Sequence, residues 1–180
     1  MFARTERLTL RPAWPEDAPA LTAAIGHEQV ARMLAHVPYP YTLIDADAWI
    51  GAPRGAHEPR FVIETREGDR PQLVGGIAIV DEGGGPEIGY WLTPACWGRG
   101  YATEAGRAVV EMARHALPIR RLGGRHFTDN PASGRVLRKL GFRPTGVAAT
   151  LHSRARGTSA PSVEYFLDLD ADAEPLPMAA

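Results

Sequence analysis

The chain has 180 residues, 44% of them hydrophobic, enough for one domain with a buried core. Its formal net charge of -1 gives no bulk basic character to argue for nucleic acid, and a single cysteine excludes an internal disulfide framework or a cysteine-rich zinc site. No run approaches the roughly 20 apolar residues that cross a bilayer, and Met1–Arg7 lacks the apolar stretch of a secretory signal, so a soluble cytoplasmic protein without membrane or nucleic-acid partners is expected.

Arg7-Leu8-Thr9-Leu10-Arg11 alternates and stops at Pro12, which predicts a first strand. Pro15-Glu16-Asp17 has the proline and early acids of a helix start, with Leu21 and Ile25 on one face. Met33, Leu34 and Val37 suggest a short second helix, and Pro38-Tyr39-Pro40-Tyr41 must be extended or turned. Thr42 reads as the cap of a further helix carrying Ile44, Ala48 and Trp49. Arg60 to Thr65 and Gln72 to Asp81 predict a strand hairpin around Glu67-Gly68-Asp69-Arg70.

The most informative stretch runs from Glu87 to Ala105. It begins as an alternating strand, passes through a loop holding Gly98 and Gly100, and opens into a helix with Ala102, Ala105, Val109, Met112, Ala113 and Ala116 on one face, ending before Pro118. Such a loop offers unpaired backbone N–H groups and the positive end of the helix dipole, a ready phosphate site. It is not a P-loop, because Thr103 follows Ala102 with no lysine, and not a dinucleotide loop, because Glu104 stands where a third glycine belongs.

A strand from Arg121 to Thr128 follows, and Asp129-Asn130-Pro131 then starts a helix carrying Val136, Leu137 and Leu140 and stopped by Gly141. Phe142 to Leu151 and Ser162 to Leu169 read as the last two strands, with His152 to Pro161 as a polar loop. One domain over residues 1–169 and a flexible tail over residues 170–180 are expected.

Trp97-Gly98-Arg99-Gly100-Tyr101-Ala102 resembles the acyl-coenzyme A loop Q/R-x-x-G-x-G/A of the GNAT N-acetyltransferase superfamily. The first position departs from that pattern, with Trp97 in place of Gln or Arg, as in the branch resembling ribosomal-protein N-terminal (Rim-type) acetyltransferases. Asn130-Pro131-Ala132-Ser133, its helix and Gly141-Phe142 are similar to the family's second signature, about 30 residues on and in the right order.

The resemblance implies an α/β (α+β) fold with a twisted, mixed, mostly antiparallel sheet of about seven strands and flanking helices. Its fourth and fifth strands splay apart to admit acetyl-CoA, and its element order is strand, two helices, three strands, helix, strand, helix and two strands. Carried over residue by residue, it puts the pyrophosphate on the backbone of Gly98, Arg99, Gly100, Tyr101 and Ala102, with Trp97 and Thr103 at the borders of that loop. The pantetheine arm lies along Leu92 and Thr93 with Asn130 bonded to it, and Arg138 is the candidate for a terminal phosphate. Many relatives carry a tyrosine acid in the last helix; Leu137 stands at that position here.

Acetyl transfer to an amine needs a deprotonated amine, a held thioester and stabilisation of the departing thiolate; binding both reactants can itself supply roughly 7–11 kcal/mol of the barrier. Glu87, on the face of Gly89 and Trp91, is the candidate base; otherwise it is an exposed carboxylate at a strand end. His126 is the alternative base or a structural strand histidine, and water is a third choice. Ser133 is the candidate for the thiolate, or else a capping serine of the first turn. Cys96 has no histidine near it in sequence and reads as packing.

The expected activity is transfer of an acetyl group from acetyl-CoA, without a metal, to a primary amine in a ternary complex. The acceptor is either a protein N-terminus or a small molecule, met by residues around Met33 to Tyr41 and the loop from His152. Neither region has the acidic cluster that a polycationic aminoglycoside calls for. The alternatives are a non-catalytic acyl-CoA sensor on the same fold and an ATP-binding protein, the latter opposed by the absent lysine. A homodimer is left open by the sequence.

Overall fold

The strands are β1 Ala3–Arg4, β2 Leu8–Arg11, β3 Arg60–Thr65, β4 Gln72–Asp81, β5 Pro86–Leu92, β6 Arg121–Phe127, β7 Arg143–Ser153 and β8 Thr158–Asp168. The α-helices are α1 Ala18–Ile25, α2 Glu28–Ala31, α3 Leu43–Gly51, α4 Tyr101–Ala116 and α5 Pro131–Lys139. The structure, a computed structural model, describes residues 2–55, 57–81 and 83–172; residues 173–180 of the expected tail lie outside them.

Among the described residues eight strands form one sheet in the order β1-β2-β3-β4-β5-β6-β8-β7. Neighbours are antiparallel except β5 and β6, which run parallel and pair only where Glu87 lies opposite Gly123. Beyond that pair the two strands part, so the expected splay is present. The eighth strand, one more than the resemblance implied, is β1: Ala3 pairs with Leu10 and Arg4 with Thr9. Two residues are too short to leave a period in the sequence.

Alternation along β5 divides the site into two sides. Ile88 and Leu92 join Val109 and Ala113 of α4 and Leu137 of α5 in the larger core cluster. Trp91 packs instead against the smaller cluster formed by Leu21 and Ala24 of α1, Ala46 of α3 and Val62 of β3. The helices thus cover the sheet as α4 and α5 on one face and α1 and α3 on the other. Trp91 lies close over β4 because Gly76 has no side chain; a Cβ there would stand 2.6 Å from the indole Nε1.

Two expected elements are placed differently, and the helix capped by Thr42, present where expected, buries a different residue. The second helix is α2, ending at Ala31, so Met33, Leu34 and Val37 fall in irregular chain beyond it. On α3 the buried residue is Ala46, while Ile44 is exposed; Thr42 is the cap, its Oγ1 accepting from Asp45 N at 3.4 Å. The polar stretch from His152 to Pro161 is mostly strand, leaving a turn of Arg154–Gly157. Its Ser, Thr and Pro content reads as loop, but the long β7–β8 hairpin overrides composition. Pro161 is tolerated because its carbonyl accepts from Thr128 N at 3.0 Å. Its missing N–H therefore faces the same side, just past the end of β6.

Candidate functional site

The glycine loop follows the C-terminal end of β5, the end at which β5 and β6 have no paired residues. Gly98 (φ 76°) and Gly100 (φ 83°) are both left-handed, a conformation that L side chains rarely adopt. Gly100 is the N-cap of α4 and supplies no capping side chain. The first helical bond is Glu104 N donating to Gly100 O at 3.0 Å. The N–H groups of Tyr101, Ala102 and Thr103 therefore have no intrahelical acceptor and face the N-terminal end of a 16-residue helix. The residues present fit a phosphate group.

The loop is braced from the N-terminal strands, a role the sequence reading did not find. Glu104 accepts from Arg7 N at 2.8 Å, Arg7 Nε at 2.8 Å and Thr5 Oγ1 at 2.5 Å. Burial works against the Glu104 anion, yet these donors outweigh it and hold the carboxyl below its ordinary value. Arg7 Nη1 also donates to Arg99 O at 3.0 Å. Glu67, from the β3–β4 hairpin turn, accepts from Arg99 Nη2 at 3.0 Å and from the buried Tyr101 hydroxyl.

The other expected donor-side residues are placed as follows. Trp97 Nε1 donates to Leu92 O at 2.8 Å, so the tryptophan at the departed position braces the loop against the end of β5. Thr93 N donates to Val74 O at 2.8 Å. Asn130 is the N-cap of α5 and its Oδ1 accepts from Ser133 N at 3.3 Å. Arg138 Nη1 donates to Tyr165 Oη at 3.0 Å. Cys96 is buried.

The opposite side of the gap is a cavity of about 710 Å³, walled by Leu21, Ile25, Met33, Trp49 and Trp91, with Glu87 among its polar lining. Glu87 is ion-paired to Arg125 of β6 through Oε1, across the gap. That partner was invisible in sequence, since it depends on the parallel register of two strands about 40 residues apart. His126 borders the same cavity but both ring nitrogens are engaged: Nδ1 lies 2.7 Å from Phe127 O and Nε2 3.5 Å from Tyr165 Oη. Because a carbonyl only accepts, Nδ1 carries the proton and Nε2 receives the Tyr165 hydroxyl.

The turn between β7 and β8 fixes the cavity wall that sequence reading assigned to a helix. Ser153 Oγ donates to Leu34 O at 2.9 Å and Arg154 N to Ala35 O at 2.9 Å. Arg156 donates to Arg32 O at 2.6 Å and grips both oxygens of Asp129 at 2.8 and 2.9 Å, with its guanidinium 4.5 Å from the Phe127 ring centroid. Arg156 thus joins the cavity wall to the turn that precedes Asn130. Hydrogen bonds to charged groups contribute about 1.5–3 kcal/mol each, so Arg156→Ala is expected to raise amide exchange in residues 32–36 by roughly tenfold or more. Exchange mass spectrometry checks this, and unchanged protection there would refute the bracing role.

Residues 7–143 match the family model described as an acetyltransferase (GNAT) domain. The chain is 34% identical over 152 residues to the uncharacterized N-acetyltransferase YoaA of Bacillus subtilis (strain 168), across 79% of this chain and 83% of that one. Among solved structures, RimL, the ribosomal L7/L12 alpha-N-protein acetyltransferase in complex with coenzyme A, matches with a TM-score of 0.80 at 19% identity, covering 96% of this chain and 100% of that chain. RimJ of Mycobacterium smegmatis, in complex with CoA-disulfide, matches with a TM-score of 0.78 at 20% identity, covering 97% and 89%. Among the described residues no helix is long and apolar enough to cross a membrane. With a family model spanning most of its length and a relative at this identity, the chain belongs to the GNAT family of N-acetyltransferases.

Proposed function

We propose that the protein transfers the acetyl group of acetyl-CoA to a primary amine seated in the cavity, both substrates being bound at once. The observation that carries this reading is the two-sided gap between β5 and β6. An uncapped helix N-terminus stands on one side and an apolar cavity containing a carboxylate on the other. RimL and RimJ, of the same fold, have coenzyme A or its disulfide in their structures, which supports the donor assignment.

The pyrophosphate takes the backbone N–H groups from Gly98 to Thr103, and Arg99 turns from Glu67 toward it. The pantetheine arm follows the end of β5 at Leu92 and Thr93 and meets Asn130. Arg138 can serve a terminal phosphate only by leaving Tyr165. On the cavity side Glu87 takes the amine proton, directly or through water, and the freed nitrogen attacks the thioester carbon. As the C–S bond breaks its electron pair stays on sulfur, and the Ser133 hydroxyl donates a hydrogen bond to that thiolate, which then takes a proton from solvent. His126 is the weaker base, since its only unprotonated nitrogen already faces Tyr165.

The wall residues Leu21, Ile25, Trp49 and Trp91 suit an amine carried on an apolar or aromatic body. That is either a protein N-terminus with a non-polar first residue or a small aromatic amine. The test is a thermal-shift series with acetyl-CoA, CoA, ATP and NAD, followed by thiol release with a panel of peptides and amines. At about 100 times its Kd the true donor stabilises by roughly 2.7 kcal/mol. Stabilisation by ATP alone would overturn the proposal. Binding of acetyl-CoA without turnover on any amine would favour the sensor reading, which Leu137 at the usual acid position keeps open.

A further inference from the structure

The gap contains a hydroxyl pair, of which only Ser133 has a part in the proposed transfer. Tyr90 of β5 points to the α4–α5 side of the sheet and reaches the first turn of α5. Its Oη donates to Ser133 O at 3.0 Å and lies 2.9 Å from Ser133 Oγ. The helix position one turn on, Leu137, is 1% exposed, belongs to the core and has no polar atom to offer Ser133.

We infer that Tyr90 is the positioning residue for Ser133. Its hydroxyl approaches from the strand wall of the gap and holds Ser133 Oγ in place to donate to the leaving sulfur. The inference rests on the acetyl-transfer reading and deepens it.

A serine in the first turn of a helix ordinarily turns its hydroxyl back onto nearby backbone groups. Here the first-turn N–H is met by Asn130 Oδ1 instead, and Ser133 Oγ has the phenol as its partner. In the resting arrangement the Tyr90 proton is on Ser133 O, and the Tyr90 oxygen accepts from Ser133 Oγ–H. When charge gathers on sulfur the Ser133 hydroxyl swings to donate to it, and the Tyr90 O–H moves from the carbonyl onto Ser133 Oγ, 2.9 Å away. The serine is then both donor and acceptor, and a donor that itself accepts a hydrogen bond is strengthened. Neither hydroxyl gives up its proton. Burial pushes the Tyr90 phenol up to about 12, so it keeps that proton throughout the working pH range. Tyr90 lies within the stretch from Glu87 to Ala105, but as an alternate strand residue it carries no signal that its ring ends at Ser133.

The test is a double-mutant cycle with Tyr90→Phe, Ser133→Ala and the double variant, using acetyl-CoA and the best amine of the panel. Tyr90→Phe removes one oxygen and leaves the ring in place, so its thermal stability and its acetyl-CoA affinity are expected to stay close to the parent's. Its kcat is expected to fall about tenfold with KM for either substrate changed less than about twofold, and to fall no further when added to Ser133→Ala. The pH profile of the remaining activity keeps the parent's shape, since Tyr90 does not titrate in that range. An unchanged kcat in Tyr90→Phe, or the same fall with and without Ser133, overturns the inference while leaving acetyl transfer intact. A parent protein that binds acetyl-CoA yet acetylates no amine overturns the functional reading and the inference together.

Discussion

Glu87→Gln is expected to lower kcat/KM about 10²–10⁴-fold near pH 7, the range for removal of a general base, with acetyl-CoA affinity unchanged. The substitution is nearly isosteric, and an amide oxygen can still accept from Arg125, so the strand pairing of Glu87 with Gly123 is retained. What is lost is the only charged oxygen the proposal places beside the amine. The deficit has a pH signature. A peptide α-amino group is mostly protonated at pH 7 and mostly free above about pH 8, so with a peptide acceptor the variant is expected to recover relative activity as pH rises through that range. A pH–rate profile of parent and variant checks this. A parallel pair of profiles would mean that Glu87 holds structure rather than a proton, and full activity at every pH would remove it from the mechanism.

Arg11→Met should cost about 3–5 kcal/mol at pH 7, the usual penalty for removing one member of a buried ion network. Arg11 is 6% exposed and donates to both oxygens of Asp17, at 2.6 and 2.8 Å, and to Glu64 at 2.5 Å. Its guanidinium also lies 4.0 Å from the Trp14 ring centroid. Without the cation two carboxylates remain side by side with little solvent. For a chain of this length the melting temperature is expected to drop by roughly 6–20 °C.

The sign of its pH dependence follows from Asp17. Its hydrogen bonds from Arg11, with that from Trp14 N, outweigh burial and hold the carboxyl below its ordinary value. A depressed carboxylate contributes stability that is present above the unfolded value, about pH 4, and is lost as pH falls through the folded value. The parent therefore loses this contribution in acid. In the variant the two carboxylates repel, and protonation relieves them. The difference between parent and variant is expected to shrink from pH 7 toward pH 3, which urea titrations at several pH values measure. A constant difference would assign the effect to packing against Trp14. The network bears on function because Asp17 leads into α1, whose Leu21 and Ile25 wall the cavity.

Elements with strong local signals were legible in the sequence. Arg60–Thr65 and Gln72–Asp81 coincide with β3 and β4 because alternation is bounded by turn residues at both ends. Asn130 is the cap of α5 because side-chain oxygen, proline and apolar spacing all agree there. The glycine loop was legible for the same reason: backbone conformation, rather than a side chain, is what its glycines encode.

What was missed is long-range. The Glu87–Arg125 pair, the Tyr90–Ser133 pair and the grip of Arg156 on Asp129 each join residues at least 27 positions apart. No periodicity reports such contacts; register and twist decide them. Residues 158–161 read as loop because their composition suits one, while pairing with Thr150–Ser153 of β7 settles their conformation. The irregular chain after α2 was misread as helix because three apolar residues sit near helical spacing, whereas Met33 and Val37 face the cavity and Leu34 O is held by Ser153.

In the proposed reaction the acetyl group passes directly from thioester to amine across the gap between β5 and β6. Cys96, the only cysteine, is 6% exposed and packed in the core, and the proposed transfer gives it no part. Initial rates with acetyl-CoA and the acceptor varied together test this most directly. Direct transfer gives intersecting double-reciprocal lines, with thiol released only when amine is present and in step with acetylated product. Parallel lines, or a burst of thiol in the absence of amine, would show an acetylated protein intermediate and contradict it.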